Sequence, residues 1–307
     1  MGDARIDAAL AEHFPFAGRW LELDGARLHY VDEGAGPPVL MVHGNPSWSL
    51  LFRGLIAGLR GEHRVIAPDH VGCGLSDKPD EARYSYTLRR RVADLGALID
   101  RLDLSDLTLV VHDWGGMIGL AAALERQARI ARLVILNTAA FLMPAGKRLP
   151  WTLWFTKHVP GLPALLVQGL NAFARGAARW GVVRPMPADV RAAYLGPYDT
   201  WHNRLATLRF VQDIPISPAD ESYMQAAWVD EHLAELADRP TLICWGERDF
   251  VFDLDYLAEW QRRFPAAEVR RFPSAGHYLP EDEPDGLLEA VRGFLPRTAP
   301  VAAGARK

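Results

Sequence analysis

Residues 107–124 leave this chain little choice of fold. Leu107, Leu109, Val110 and Val111 make an almost purely apolar run, as expected of a parallel strand buried on both faces. The run stops at His112. Gly115 and Gly116 follow Asp113 and Trp114, and residues 117–124 then read as an apolar helix. A strand, a sharp turn and a helix therefore surround one acidic side chain. That is the geometry of a nucleophile elbow, which lifts a side chain above the sheet and aims a helix N-terminus at it. Where the usual elbow carries Ser, this one carries Asp113. A carboxylate is already ionised near neutral pH and is further favoured by the helix dipole, so it attacks without a base to activate it. On an sp3 carbon bearing a leaving group it would form an alkyl ester, which water activated by a histidine then hydrolyses. The plain alternative, that Asp113 only caps the next helix, has to be weighed against the rest of the chain.

The rest has a strand–helix rhythm. Runs at 20–23 and 27–31 flank Asp24 and Gly25, a hairpin signal. A buried strand at 39–42 opens into His43-Gly44-Asn45-Pro46, and another at 64–67 opens into a loop of turn formers over 69–77. Leu88, Val92, Leu95, Ile99 and Leu102 recur at helical spacing, predicting a helix over 87–102, and 133–136 reads as the strand after the elbow. This alternation predicts an α/β fold with a mainly parallel central sheet and flanking helices.

From Phe141 to Ser217 the rhythm breaks. Trp151, Trp154, Phe155, Leu165, Leu166, Phe173, Trp180, Trp201 and Phe210 fall in helical patterns, cut short by Pro144, Pro150, Pro160, Pro163, Pro185 and Pro187. The expectation is an inserted helical cap over 141–217 that walls an apolar pocket above the elbow, between core segments 18–140 and 218–295. An N-terminal segment, 1–17, would precede the core. The core resumes with a strand at 241–245 leading into Gly246-Glu247-Arg248-Asp249, and a last strand at 268–272 before Ser274-Ala275-Gly276-His277. Leu287, Leu288, Val291 and Phe294 mark a closing helix, and 296–307 read as a flexible tail.

At 307 residues there is room for one domain with an insertion. A net charge of −4 with mixed signs excludes nucleic acid as an expected partner. The only cysteines, Cys73 and Cys244, favour a reducing compartment over a disulfide framework. Asp3, Arg5, Asp7 and Glu12 interrupt any signal-peptide core, and no apolar run is long enough to span a membrane. The expectation is a cytoplasmic protein acting on a small apolar substrate. No phosphate-binding glycine loop, CxxC pair or zinc-like histidine cluster occurs, so no cofactor and no metal are expected.

In such a sheet the strand C-termini share one edge, where ligands bind. Asn45, Asp113, Asp249 and His277 all fall at strand exits, in the order nucleophile, acid, histidine described for α/β-hydrolases. His277 is the candidate general base, and Asp249 would fix its tautomer. Taken singly, Asp249 could cap a turn and His277 could be a loop histidine; together they favour a site. Asp253 and Asp255 are rival acids, whereas the exit at Asn137 and Thr138 offers no carboxylate. The backbone N–H groups of Asn45 and Trp114 would form an oxyanion hole, and their side-chain N–H groups would hold a leaving anion. Their structural alternatives are turn capping by Asn45 and packing by Trp114.

With these residues in hand, the chain resembles the haloalkane dehalogenase group of α/β-hydrolases. The matching motifs are His43-Gly44-Asn45-Pro46 and Val111-His112-Asp113-Trp114-Gly115-Gly116, and an acid at Asp249 is similar to the third subfamily. The resemblance goes further with the β-lactone decarboxylases of bacterial long-chain olefin biosynthesis, through segments 43–48, 69–79, 136–141, 209–218 and 249–253, over about 18–295. It implies that a cis-3-alkyl-4-alkyloxetan-2-one is split into a cis-alkene and carbon dioxide, and it suggests assembly with other olefin-pathway enzymes. The alternative is haloalkane dehalogenation by the same residues. An epoxide hydrolase would need a lid acid, for which Tyr194 and Tyr198 are available. A non-enzymatic ligand receptor leaves the complete nucleophile, acid and base set unexplained.

Overall fold

A computed structural model describes residues 4–144 and 146–296. Eight strands form one sheet in the order β1-β2-β4-β3-β5-β6-β7-β8. They are β1 (Gly18–Leu23), β2 (Ala26–Glu33), β3 (Pro38–Val42), β4 (Arg64–Pro68), β5 (Leu107–Asp113), β6 (Ile130–Thr138), β7 (Thr241–Gly246) and β8 (Glu268–Phe272). β2 is antiparallel to its neighbours β1 and β4, and every pairing from β4 to β8 is parallel.

The continuous apolar runs have the expected cause. On β5, Leu109 and Val111 enter the core on one face and Val110 enters the core on the other, all buried. Helices α3 (Leu88–Arg101) and α4 (Trp114–Leu124) cover the first face, and α2 (Arg53–Leu59) and α13 (Pro284–Phe294) the second. Thr87 caps α3 by accepting from Arg90 N, as its place before the periodic residues predicts.

Between β6 and β7 the chain forms α5 (Trp151–His158), a single turn α6 (Leu162–Ala164), a π turn (Leu165–Gly169), α7 (Ala172–Trp180), α8 (Ala188–Leu195), α9 (Leu205–Gln212) and α10 (Tyr223–His232). Pro150 and Pro187 stand at the N-caps of α5 and α8, positions where a missing N–H costs no helical bond. Two further helices, α11 (Leu254–Arg263) and α12 (Leu279–Asp282), follow β7 and β8.

Three expectations are amended. β5 does not stop at His112 but runs through Asp113, because ladder bonds to β6 depend on the backbone and not on side-chain polarity. The N-terminal segment contains α1 (Ala4–His13), which is packed down: Ala9 and Phe14 are buried, and His13 bonds Asp189 of α8 at 2.9 Å. The expected tail, beyond residue 296, lies outside the described residues.

Candidate active site

At the end of β5 the backbone of Asp113 takes φ 53° and ψ −127°, a region that costs a non-glycine residue of order 1–3 kcal/mol. Close packing holds it there. A Cβ on Gly115 would lie 2.0 Å from the carbonyl oxygen of Val42, and one on Gly44 would lie 2.0 Å from Oδ1 of Asp113. Only hydrogen at those two positions lets α4 and the β3 loop close on the elbow. Thr138 Oγ1 also donates to the Asp113 carbonyl, fixing the turn to β6.

Asp113 is 8% exposed. Asn45 N donates to Oδ1 at 2.7 Å, and the Trp114 N–H also donates to the carboxylate. Burial pushes the Asp113 carboxyl above the usual aspartate range, against the pull of His277 and these two N–H groups. Desolvation therefore opposes the charge expected on Asp113, and specific partners sustain it.

His277 Nδ1 donates to Asp249 Oδ2 at 2.8 Å, and its Nε2 faces Asp113 Oδ2 at 3.6 Å. Burial lowers the imidazole pKa, but the Asp249 charge and hydrogen bond, with the Asp113 charge, carry it above the ordinary histidine value. Asp249 also accepts from Val251 N at 2.7 Å, Phe252 N at 3.1 Å and Asn137 Nδ2 at 3.0 Å. The rival acids are engaged elsewhere: Asp253 caps α11, and both Asp253 and Asp255 pair with Lys147.

Asn45 and Trp114 lie beside Asp113 in the cavity wall. Asn45 Nδ2 donates one hydrogen to Thr207 O at 3.1 Å, which leaves the other unclaimed. The Trp114 indole packs on Phe210 with ring centroids 5.4 Å apart, and its N–H has no acceptor among the described residues.

All five residues singled out from the sequence thus meet, four of them lining a cavity of about 1010 Å³ and Asp249 behind His277. That volume is at the upper end of the ~300–1,000 Å³ common for ligand pockets. Phe155, Leu166, Phe173, Val211 and Ile214 are among its apolar walls. Not every large apolar residue of segment 141–217 lines the cavity. Trp154, Leu165 and Trp201 point to solvent, and Phe210 sits behind Trp114, because a thin helical layer has an outer as well as an inner face.

Tyr194 and Tyr198 are not in the cavity wall. Tyr194 Oη donates to Glu281 at 2.6 Å and Tyr198 Oη accepts from Gly74 N at 3.4 Å, which removes the lid acids of the epoxide reading. Among the described residues, the group spaced to share a metal ion is Glu12, His13 and Asp189, outside this cavity.

Two positioning residues escaped the sequence reading. Asn137 spans β6 and β7, donating to Gly246 O and Asp249 and accepting from Gly246 N. His112 Nε2 donates to the carbonyl of His277 at 2.8 Å. A polar residue closing an apolar strand was the available signal in both.

A family model described as the alpha/beta hydrolase fold matches residues 37–284. Two relatives named cis-3-alkyl-4-alkyloxetan-2-one decarboxylase are each 48% identical to the chain. That of Shewanella oneidensis aligns over 94% of this chain and 91% of its own. That of Xanthomonas campestris pv. campestris aligns over 89% and 93%. Among solved structures, the haloalkane dehalogenase DatA of Agrobacterium tumefaciens superposes with a TM-score of 0.81 at 25% identity, covering 91% of this chain and 95% of its own.

Proposed function

The chain belongs to the α/β-hydrolase fold family, and from that premise we propose that it decarboxylates cis-3-alkyl-4-alkyloxetan-2-ones to cis-alkenes and carbon dioxide. The observation that carries the reading is a carboxylate nucleophile, Asp113, beside two anion donors in one large apolar cavity. The 48% identity to two decarboxylases over most of the chain supports a carboxylate, rather than a halide, as the leaving anion.

The steps follow from the chemistry of a strained ring. Asp113 attacks the ring carbon that bears oxygen, forming an ester and breaking the carbon–oxygen bond with inversion. The released carboxylate is held by the Asn45 carboxamide and the Trp114 indole N–H. Carbon dioxide then leaves, the electrons of that carbon–carbon bond form the double bond, and the Asp113 carboxylate is expelled. Inversion followed by anti departure converts a cis-ring into a cis-alkene. Water takes no part. His277, held by Asp249, supplies positive charge beside Asp113 and no proton transfer.

The same reading places the enzyme in long-chain olefin biosynthesis, beside other enzymes of that route. The buried free thiols of Cys73 and Cys244 suit the reducing cytoplasm. No helix among the described residues is long and apolar enough to cross a membrane.

Dehalogenation is the second reading, supported by the DatA likeness. Incubating the purified protein with a long-chain cis-β-lactone and with 1-bromobutane decides between them. Alkene from the lactone is expected, and bromide without alkene overturns the proposal. Asp113→Ala is expected to abolish turnover with the fold intact; retained turnover would remove Asp113 from its role.

A further inference from the structure

The helices above the cavity carry large apolar side chains on their outer face. Trp151 (77% exposed), Trp154, Leu165, Leu170, Trp180 (69%) and Trp201 stand in solvent. Neighbouring elements contribute them: a Cβ on Gly169 would meet Leu165 at 3.3 Å and Trp201 at 3.4 Å, and Gly176 abuts Trp180 in the same way. Trp151 and Trp180, with Phe250 (54% exposed), also line the cavity. The apolar exterior therefore runs without a break into the apolar interior.

Part of the charge on this face is free to match. Residues 141–217 hold nine Lys or Arg against three Asp; Lys147, Lys157, Arg184 and Arg209 are paired with acids from outside the segment, and, among the described residues, the arginines of α7 are not. On α7, Arg175 and Arg179 are one turn apart, exposed, next to Trp180, and neither has an acidic partner among the described residues. Arg175 instead opposes the charge of Arg204. Single exposed tryptophans need no explanation, but several around an apolar mouth mark an interaction surface. Indoles favour the boundary between lipid and water, and clustered cations are drawn to anionic headgroups.

We propose that this outer face docks on an anionic phospholipid bilayer, mouth against the lipid. A long-chain apolar substrate then enters, and an apolar product leaves, without crossing water. The delivery step rests on the decarboxylase reading; the docking does not.

The test is co-sedimentation of the full chain with vesicles of phosphatidylcholine alone or mixed with phosphatidylglycerol, at low and high salt. Binding to the anionic vesicles at low salt, weakened by salt, is expected. Arg175→Glu with Arg179→Glu should weaken it at least about thirtyfold, from roughly 1 kcal/mol for each lost cation near the surface. Trp154→Ser with Trp201→Ser should weaken it on both kinds of vesicle. All these variants should keep wild-type turnover of detergent-dispersed lactone, since none of the four residues lines the cavity. Protein left in the supernatant at low salt, or variants that bind like wild type, would overturn the proposal. So would a stable dimer in solution whose tryptophan emission shows these indoles covered. Vesicle binding without alkene formation would sink the decarboxylase reading and leave the docking intact.

Discussion

Replacing His277 by Asn separates the two fates open to an ester on Asp113. In hydrolysis the imidazole must take a proton from water, and a positioned base contributes ~10²–10⁴ in rate. In the lactone route no proton moves, so the imidazolium supplies only charge. Its Nε2 is 3.6 Å from Asp113 Oδ2. Two unit charges at that separation interact by about 5 kcal/mol at an effective dielectric of ~20, a gross value that water entering the vacated space largely replaces. Losing roughly 1.4 kcal/mol of it costs about tenfold. Lactone turnover followed by alkene chromatography should therefore fall by about one order of magnitude. Bromide release from a bromoalkane should stop after one turnover, leaving an alkyl adduct in the intact-protein mass. A His277→Asn enzyme that makes no alkene and accumulates an adduct of the full lactone mass would overturn this route, because the base would then be needed to break the carbon–carbon bond.

Further outcomes follow from the same geometry. The lactone pH–rate profile should lose activity on the acid side as Asp113 is protonated, above the usual aspartate range because burial raises its pKa. Bromide release needs neutral His277, whose pKa is raised, so its acid limb should lie higher; superimposable profiles for the two substrates would contradict this. Asn45→Ala should slow lactone opening about 10–100-fold, the worth of a hydrogen bond to a charged group of ~1.5–3 kcal/mol, measured in single-turnover reactions. Gly44→Ala puts a Cβ 2.0 Å from Asp113 Oδ1 and should lower turnover by ~10² or more, with substrate affinity less affected. Away from the site, burial raises the Asp69 carboxyl, but His29 and the Leu75 N–H outweigh it and hold the pKa near 2. A depressed folded pKa means stability that is present above about pH 4 and lost as pH falls toward 2, an effect of ~2 kcal/mol. Urea unfolding of wild type and Asp69→Asn across that range checks it: the variant should be less stable at neutral pH and nearly flat in acid.

Strands 39–42, 64–67 and 107–111 were legible because burial on both faces leaves long apolar runs. The candidate site residues were legible because a parallel sheet brings all its strand exits to one edge, whatever their separation along the chain. Asn137 shows the limit of that reading. From sequence it registers only as a missing carboxylate; its amide becomes meaningful when β6 and β7 lie side by side and it reaches Asp249. His112 is similar, since its acceptor lies 165 residues away. Helix α11 did carry local signals, with Asp253 as cap and Leu257 and Trp260 on its buried side. The outward tryptophans followed the same helical periods as the inward ones, and period alone does not tell the two faces of a thin layer apart.

The way the ceiling of the cavity is fastened has a consequence for how its tenants change. His112 joins β5 to the loop of His277, and that loop joins the end of α7 through Tyr278 N to Gly181 O at 2.7 Å. Asp282 secures the same corner by accepting from Val183 N, Arg184 N and Gly276 N. At the α5 side, Lys147 bridges to Asp253 and Asp255. Lys157 of α5 adds a bond to Gln212 O at 2.8 Å and an ion pair with Asp220 at 2.7 Å, so the roof is fastened by backbone bonds beside residues 113 and 277 and by two lysine side chains at the α5 wall. Refitting the α5 wall for longer or shorter tails therefore leaves the line between residues 113 and 277 untouched.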